Sequence, residues 1–229
     1  MMWDPMYLLF AVPALLLAMI AQFSVQSAYQ RYLKVPNRRG ITGGQAAPAL
    51  MRVAGINVSL EGISGTLSDH YDPRKKVLRL SQGVATQPSV ASVAIVAHEI
   101  GHAQQDAEAY QMLRIRSGLV PLVNLTSWLG PLLFMLGWLL QAEVFLTLGI
   151  WTFAGAVVFA LVTLPVELNA SRRAMQFLEQ SGVLSSDEEL RGAKKVLNAA
   201  ALTYIAALAQ ALSTFSYYLF RFGGGRRRS

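Results

Sequence analysis

Two histidines bracket a glutamate in the segment His98-Glu99-Ile100-Gly101-His102. On a helix, positions four apart share one face. The two imidazoles can therefore take two corners of a tetrahedral zinc site, and the glutamate between them can reach a water held there. The chain contains 3 histidines, and two are committed to this pattern. The chemistry such a group performs is hydrolysis, with one zinc ion per chain activating water and Glu99 as general base.

The flanks suit a buried metal helix. Pro88-Ser89 is a helix-start signal with Ser89 as N-cap. Val90, Val93, Ala94, Ile95, Val96 and Ala97 then supply an apolar background, whose low dielectric strengthens the electrostatic effect of a metal. Beyond His102 come Gln104, Gln105, Asp106 and Glu108, which read as the helix leaving a buried site for solvent.

A third ligand must come from elsewhere, and the distribution of charge says where. Charged residues make up 14% of the 229 positions, against about 25% in soluble domains. Four runs lack any Asp, Glu, Lys or Arg: Pro5 to Gln30, Ser117 to Ala142, Val144 to Val166, and Val196 to Phe220. Each exceeds the roughly 20 residues that cross a bilayer as a helix. The composition is that of a multi-pass membrane protein with the lipid bilayer as its first partner. The first run has no basic segment before it and no A-x-A cleavage site, so it reads as a retained anchor over 1–30.

Between the runs lie the segments that carry chemistry. Segment 31–116 holds 11 Lys/Arg and 6 Asp/Glu. It reads as a small α+β unit. A helix over 44–54 is closed by Gly55, and a strand follows over 56–61. A hairpin pairs 67–71 with 76–81 around Asp72-Pro73-Arg74-Lys75, and the histidine helix comes next. The spans within 117–166 are joined by Gln141-Ala142-Glu143 alone, a tight transmembrane hairpin that returns the chain to the side it left. Segment 167–195 reads as two helices: one begins at Glu167 and is capped by Gly182, and a second is initiated by Ser185 and Ser186. A last span over 196–220 and a basic tail over 221–229 complete the chain.

Glu167 ends an apolar run just after Pro165. A carboxylate at that depth is costly without a partner, and the hairpin brings it to the side of His98 and His102. It is the expected third zinc ligand. Ser171 lies one helical turn on, where it can orient a ligand histidine through the nitrogen that faces away from the metal, and Asn169 can do similar work. His70, in the hairpin, is the candidate side-chain donor to a developing oxyanion, with Tyr71 second. The strand near Leu67 or Val77–Leu80 is the candidate for binding an extended peptide by strand addition.

Glu167-x-x-Ala170-Ser171-x-x-Ala174 resembles the E-x-x-A-D-x-x-A motif of HtpX-type membrane peptidases, which are glutamate-ligand zincins, with Ser in place of Asp. The whole chain is more similar to the YugP-type neutral zinc metallopeptidases, bacterial multi-pass membrane proteins. The matching strings are Gly65 to Arg74, Ala97 to Gln105, Thr163 to Ala174 and Ala199 to Tyr204. That resemblance implies a bacterial inner-membrane location, zinc and peptidase activity on peptide or membrane-protein substrates. It names no substrate.

Two other readings compete with an enzyme. A non-catalytic, zinc-stabilised membrane scaffold would ordinarily close its metal with four ligands, often Cys, and this chain has 0 Cys. A carboxylate-bridged di-iron bundle needs two Glu-x-x-His pairs, and only Glu99-x-x-His102 is present. Nucleic acid is not an expected partner: the net charge of +7 is spread between hydrophobic runs, as at a membrane surface. Arg31, Lys34, Arg38 and Arg39 follow the first span while Asp4 alone precedes it, so the positive-inside rule puts 31–116 and 167–195 in the cytoplasm.

Overall fold

The structure, a computed structural model, describes residues 5–222. Asp4 and the basic tail Arg226–Arg228 lie outside the described residues. The chain divides into two compact units. Of the described residues, one comprises 5–21, Arg114–Pro165 and 203–222; the other comprises Gln22–Leu113 and Val166–Leu202.

The described elements run α1 (Pro5–Leu33), α2 (Gly43–Ala54), β1 (Ser59–Ile63), β2 (His70–Asp72), β3 (Val77–Ser81), α3 (Gln82–Thr86), α4 (Val90–Ala107), α5 (Gln111–Leu139), α6 (Glu143–Ser181) and α7 (Asp187–Phe222). Helices α1, α5, α6 and α7 are long and apolar enough to cross a membrane. This is a mainly α membrane protein with a small β part.

The first unit is built from apolar helix on apolar helix. Helices α5 and α6 are joined by three residues, with Gln141 at φ 49° making the turn. They approach closely at glycine: a Cβ on Gly137 would stand 2.8 Å from the Leu146 side chain. Small residues at such crossings let transmembrane helices pack without a solvent-driven force. Aromatic contacts join α1 to α7 (Tyr7 on Tyr217, 5.1 Å between centroids) and α5 and α6 to α7 (Phe134 and Phe153 on Tyr218). Trp128, Trp138 and Trp151 are largely exposed on the outside of this unit, as expected where the surroundings are lipid.

The second unit has a conventional core. Leu50, Leu78, Val84, Ile100 and Leu178 are buried in it. Helix α2 begins with a capping box, Thr42 accepting from the Gln45 N–H while the Gln45 side chain accepts from the Thr42 N–H. It ends on Gly55 at φ 69°, a left-handed position that glycine takes without strain. The three-stranded sheet has the order β1-β3-β2, with β1 parallel and β2 antiparallel to β3. Asp72 accepts from the Arg74 and Lys75 N–H groups and so closes the β2–β3 turn. Asp69 accepts from the N–H and hydroxyl of Ser81, tying the entry of β2 to the end of β3.

Several local expectations shift. The first strand covers 59–63 rather than 56–61. Val77–Leu80 lies in the central strand, with Val77–Arg79 paired on both sides and Leu80 paired with β1, so it offers no free ladder to a peptide. Glu167 does not begin a helix: α6 runs unbroken from Glu143 to Ser181 through Pro165. The composition changes at Glu167 while the backbone does not, because a single proline removes one helical hydrogen bond and can be tolerated in an apolar helix. Likewise α7 is continuous from Asp187, so 187–195 and 196–220 form one helix.

Candidate metal centre

Helix α4 carries His98, Glu99 and His102. It begins at Ser89, whose hydroxyl accepts from the Ser92 N–H. The N-cap fixes where the helix starts and hence which face the two histidines occupy. That face meets α6 at a very close crossing. Ala170 has no exposed surface, and a Cβ on Gly101 would stand 2.7 Å from its carbonyl oxygen. Gly101 and Ala170 therefore let the two backbones approach, and Glu167 sits one turn before Ala170 on the same face of α6. Gly101→Ala should push the helices apart by several tenths of an ångström and weaken zinc binding at least about tenfold, since ligand placement rather than ligand identity changes. Zinc titration of the purified variant checks this.

The three ligand candidates converge. Nε2 of His98 and Nε2 of His102 each lie 3.3 Å from the same Glu167 oxygen, Oε2. The two rings meet edge to face, with centroids 4.8 Å apart. Ligand atoms about 2.0–2.1 Å from a tetrahedral zinc stand about 3.4 Å from one another, so these two separations suit that ion, and all three ligand atoms lie within 4.8 Å of one another. Two imidazoles and a carboxylate are also zinc's ordinary donors. The Glu167 side chain is 3% exposed. His102 shows what the convergence favours. Burial alone would disfavour its charged form, but Glu167, Glu99 and Gln105 together raise its pKa, Glu167 most among them. The site favours positive charge where these atoms meet.

The outward-facing nitrogens are held as well. Ser171 Oγ is 3.2 Å from Nδ1 of His98. Gln105 Oε1 is 3.0 Å from Nδ1 of His102. Asn169 hydrogen-bonds to neither histidine; its Oδ1 accepts instead from Gln105 Nε2 and Arg173 Nε, each at 2.8 Å. Gln105 is the residue that the sequence reading missed. Read as part of a solvent-facing stretch, it is fully buried, because its whole amide is hydrogen-bonded inside the unit. The signal was its spacing, three residues after His102 and so on the same face.

Glu99 is 8% exposed. Its Oε2 accepts from the Tyr71 N–H at 3.0 Å, a donor that the β2–β3 ladder leaves free. The outer edge of β2 thus faces α4. Burial pushes the Glu99 carboxyl above the usual range, against the pull of both histidines and the Tyr71 N–H. Raising a carboxyl makes its carboxylate a stronger base, the direction that suits a general base. The Tyr71 hydroxyl donates to Asp106 at 2.8 Å, a second tie between β2 and α4. His70 lies apart from the ligand group. Its Nδ1 is 2.8 Å from the Ser68 carbonyl oxygen and its Nε2 is 3.5 Å from Arg79, its cross-strand partner.

The description "Putative neutral zinc metallopeptidase" belongs to a family model that matches residues 7–223. A relative from Bacillus subtilis (strain 168), named "Putative membrane protease YugP", is 41% identical over 222 residues, covering 96% of this chain and 98% of its own. No solved structure matches.

Proposed function

The chain belongs to this neutral zinc metallopeptidase family, and from that premise we propose that it is a membrane-embedded zinc endopeptidase acting on membrane or membrane-proximal proteins. The observation that carries the proposal is the convergence of His98, His102 and Glu167 beside a buried Glu99. These three residues would hold one zinc ion. When bound, zinc would lower the pKa of a water and polarise the scissile carbonyl. Glu99 takes the proton of the attacking water and delivers it to the leaving amine. Ser171 holds the His98 ring through Nδ1, so that Nε2 faces the site. An extended substrate is expected by strand addition near the exposed Leu67, just before β2. Absence of peptide hydrolysis from a zinc-loaded preparation, assayed against a panel of membrane proteins, would overturn the proposal.

A zinc-clipped scaffold remains the second reading; it fits less well because the group of three ligands leaves one tetrahedral position for water.

His70 is proposed as a donor to the developing oxyanion, a role in which its Nε2 carries a proton and leaves Arg79. His70→Ala is then expected to keep its zinc and to lower kcat more than it raises KM. Zinc loss would make it a ligand, and wild-type kinetics would leave it a turn residue.

The active site is proposed to face the cytoplasm of a bacterial inner membrane, on the positive-inside argument. In intact cells, Ser68→Cys should resist an impermeant thiol reagent while Ser229→Cys reacts, because α7 is proposed to cross fully. Labelling at 68 from outside would reverse the orientation; protection at 229 along with 68 would remove the fourth crossing.

A further inference from the structure

Gln105 has no exposed surface, and the hydrolysis just described does not use it. An amide that deep must satisfy a carbonyl oxygen and two N–H donors. Its partners leave one arrangement. The Nε2 group lies 2.9 Å from the Val166 carbonyl oxygen and 2.8 Å from Asn169 Oδ1. A backbone carbonyl only accepts. Asn169 Oδ1 also takes the Nε–H of Arg173, and a guanidinium only donates, so Asn169 presents its oxygen rather than its NH2. Arg173 is itself held by Gln104 and by Glu108, whose Oε2 lies 2.8 Å from its Nη1. With both of its N–H groups directed at oxygens, Gln105 can offer His102 nothing but Oε1. The Nδ1 of His102, 3.0 Å away, must then carry a proton. A neutral imidazole protonated at Nδ1 leaves its lone pair on Nε2, the atom that meets Glu167.

His98 is held differently. Its Nδ1 meets the Ser171 hydroxyl, which can donate or accept, so that contact does not dictate the tautomer. The two ligand histidines are thus unequal: one is set by a directed chain of donors and acceptors, the other by a rotor.

We propose that Gln105 is a positioning residue that fixes His102 in its metal-binding tautomer, through a one-way hydrogen-bond relay from Arg173 by way of Asn169. The relay also joins α4 to α6, since Gln105 reaches the Val166 carbonyl one residue before Glu167, so it places two ligands with one side chain. The inference rests on the zinc reading for its purpose but not for its test, which needs no metal.

The test reads the tautomer directly. Full-length protein in detergent is labelled with nitrogen-15 in histidine and stripped of metal. Nitrogen–proton correlation spectra are recorded at rising alkaline pH until the His102 signals stop shifting, so that the neutral ring is read. With 3 histidines in the chain, the His102 signals are identified by their loss in His102→Gln. Wild-type His102 should show the Nδ1–H form alone. Gln105→Leu should bring in the Nε2–H form and weaken zinc binding about 10–100-fold in a separate chelator competition. Asn169→Asp keeps an oxygen that can only accept from Gln105 and Arg173, and should keep the Nδ1–H form. A merely structural glutamine would lower the melting temperature of Gln105→Leu without changing the tautomer. An unchanged Nδ1–H form in Gln105→Leu would overturn the proposal. So would its loss in Asn169→Asp, which carries the test alone if the leucine variant does not fold. A wild-type protein that binds no zinc would contradict the metal reading, and the tautomer would still decide the relay.

Discussion

Glu99→Gln is expected to keep its zinc and lose peptide hydrolysis by about 10²–10⁴-fold, the range that a positioned general base supplies. The substitution is nearly isosteric and leaves His98, His102 and Glu167 untouched. An amide oxygen can still accept the Tyr71 N–H that Glu99 accepts now. What it cannot do is take a proton from water. Burial holds the Glu99 carboxyl above the usual range, which strengthens it as a base in the wild-type protein. Metal content and kcat on one membrane-protein substrate, compared with wild type, measure both halves. Unchanged hydrolysis would remove Glu99 from the mechanism.

Glu167→Ala is expected to abolish stoichiometric zinc binding. The carboxylate supplies the one oxygen on which both Nε2 atoms converge, each at 3.3 Å. Two histidines alone leave half of a tetrahedral site to solvent. Glu143→Ala, at the start of the same helix, is the control and should retain zinc. Metal analysis of the two purified variants settles it: full zinc in Glu167→Ala would mean that the third ligand lies elsewhere.

Much of this was legible because the chemistry is written in spacings. The four-residue interval between His98 and His102 specifies a helix face, and Ser89 specifies where that helix starts. The run lengths between charges specify four spans, and the three-residue connection specifies which spans are neighbours. These are local or one-dimensional signals. Glu167 and Ser171 could be singled out because both lie on one helix, a turn apart, and a carboxylate at the end of an apolar run is anomalous.

What was not legible depends on contacts between distant segments. Gln105 belongs to a string of polar residues that looks solvated, and only the approach of α6 supplies the Val166 carbonyl and Asn169 that bury it. The same approach is written in Gly101 and Ala170, but a glycine in a helix does not say which backbone will come close. The strand order is another case. A hairpin is a local signal, whereas the insertion of β3 between β1 and β2 is a long-range pairing, so the free edges could not be assigned from the pattern. The unbroken α6 was hidden by a change of composition at Glu167 that mimics a helix start.

The most direct test of the zinc-peptidase account is removal and return of the metal. Purified protein, stripped with a chelator and then dialysed, should not cleave a membrane-protein substrate that the untreated protein cleaves. One equivalent of zinc should restore the cleavage to the wild-type chain and leave Glu99→Gln inactive. Cleavage that persists in the metal-free protein, or that zinc restores equally to Glu99→Gln, would contradict the account.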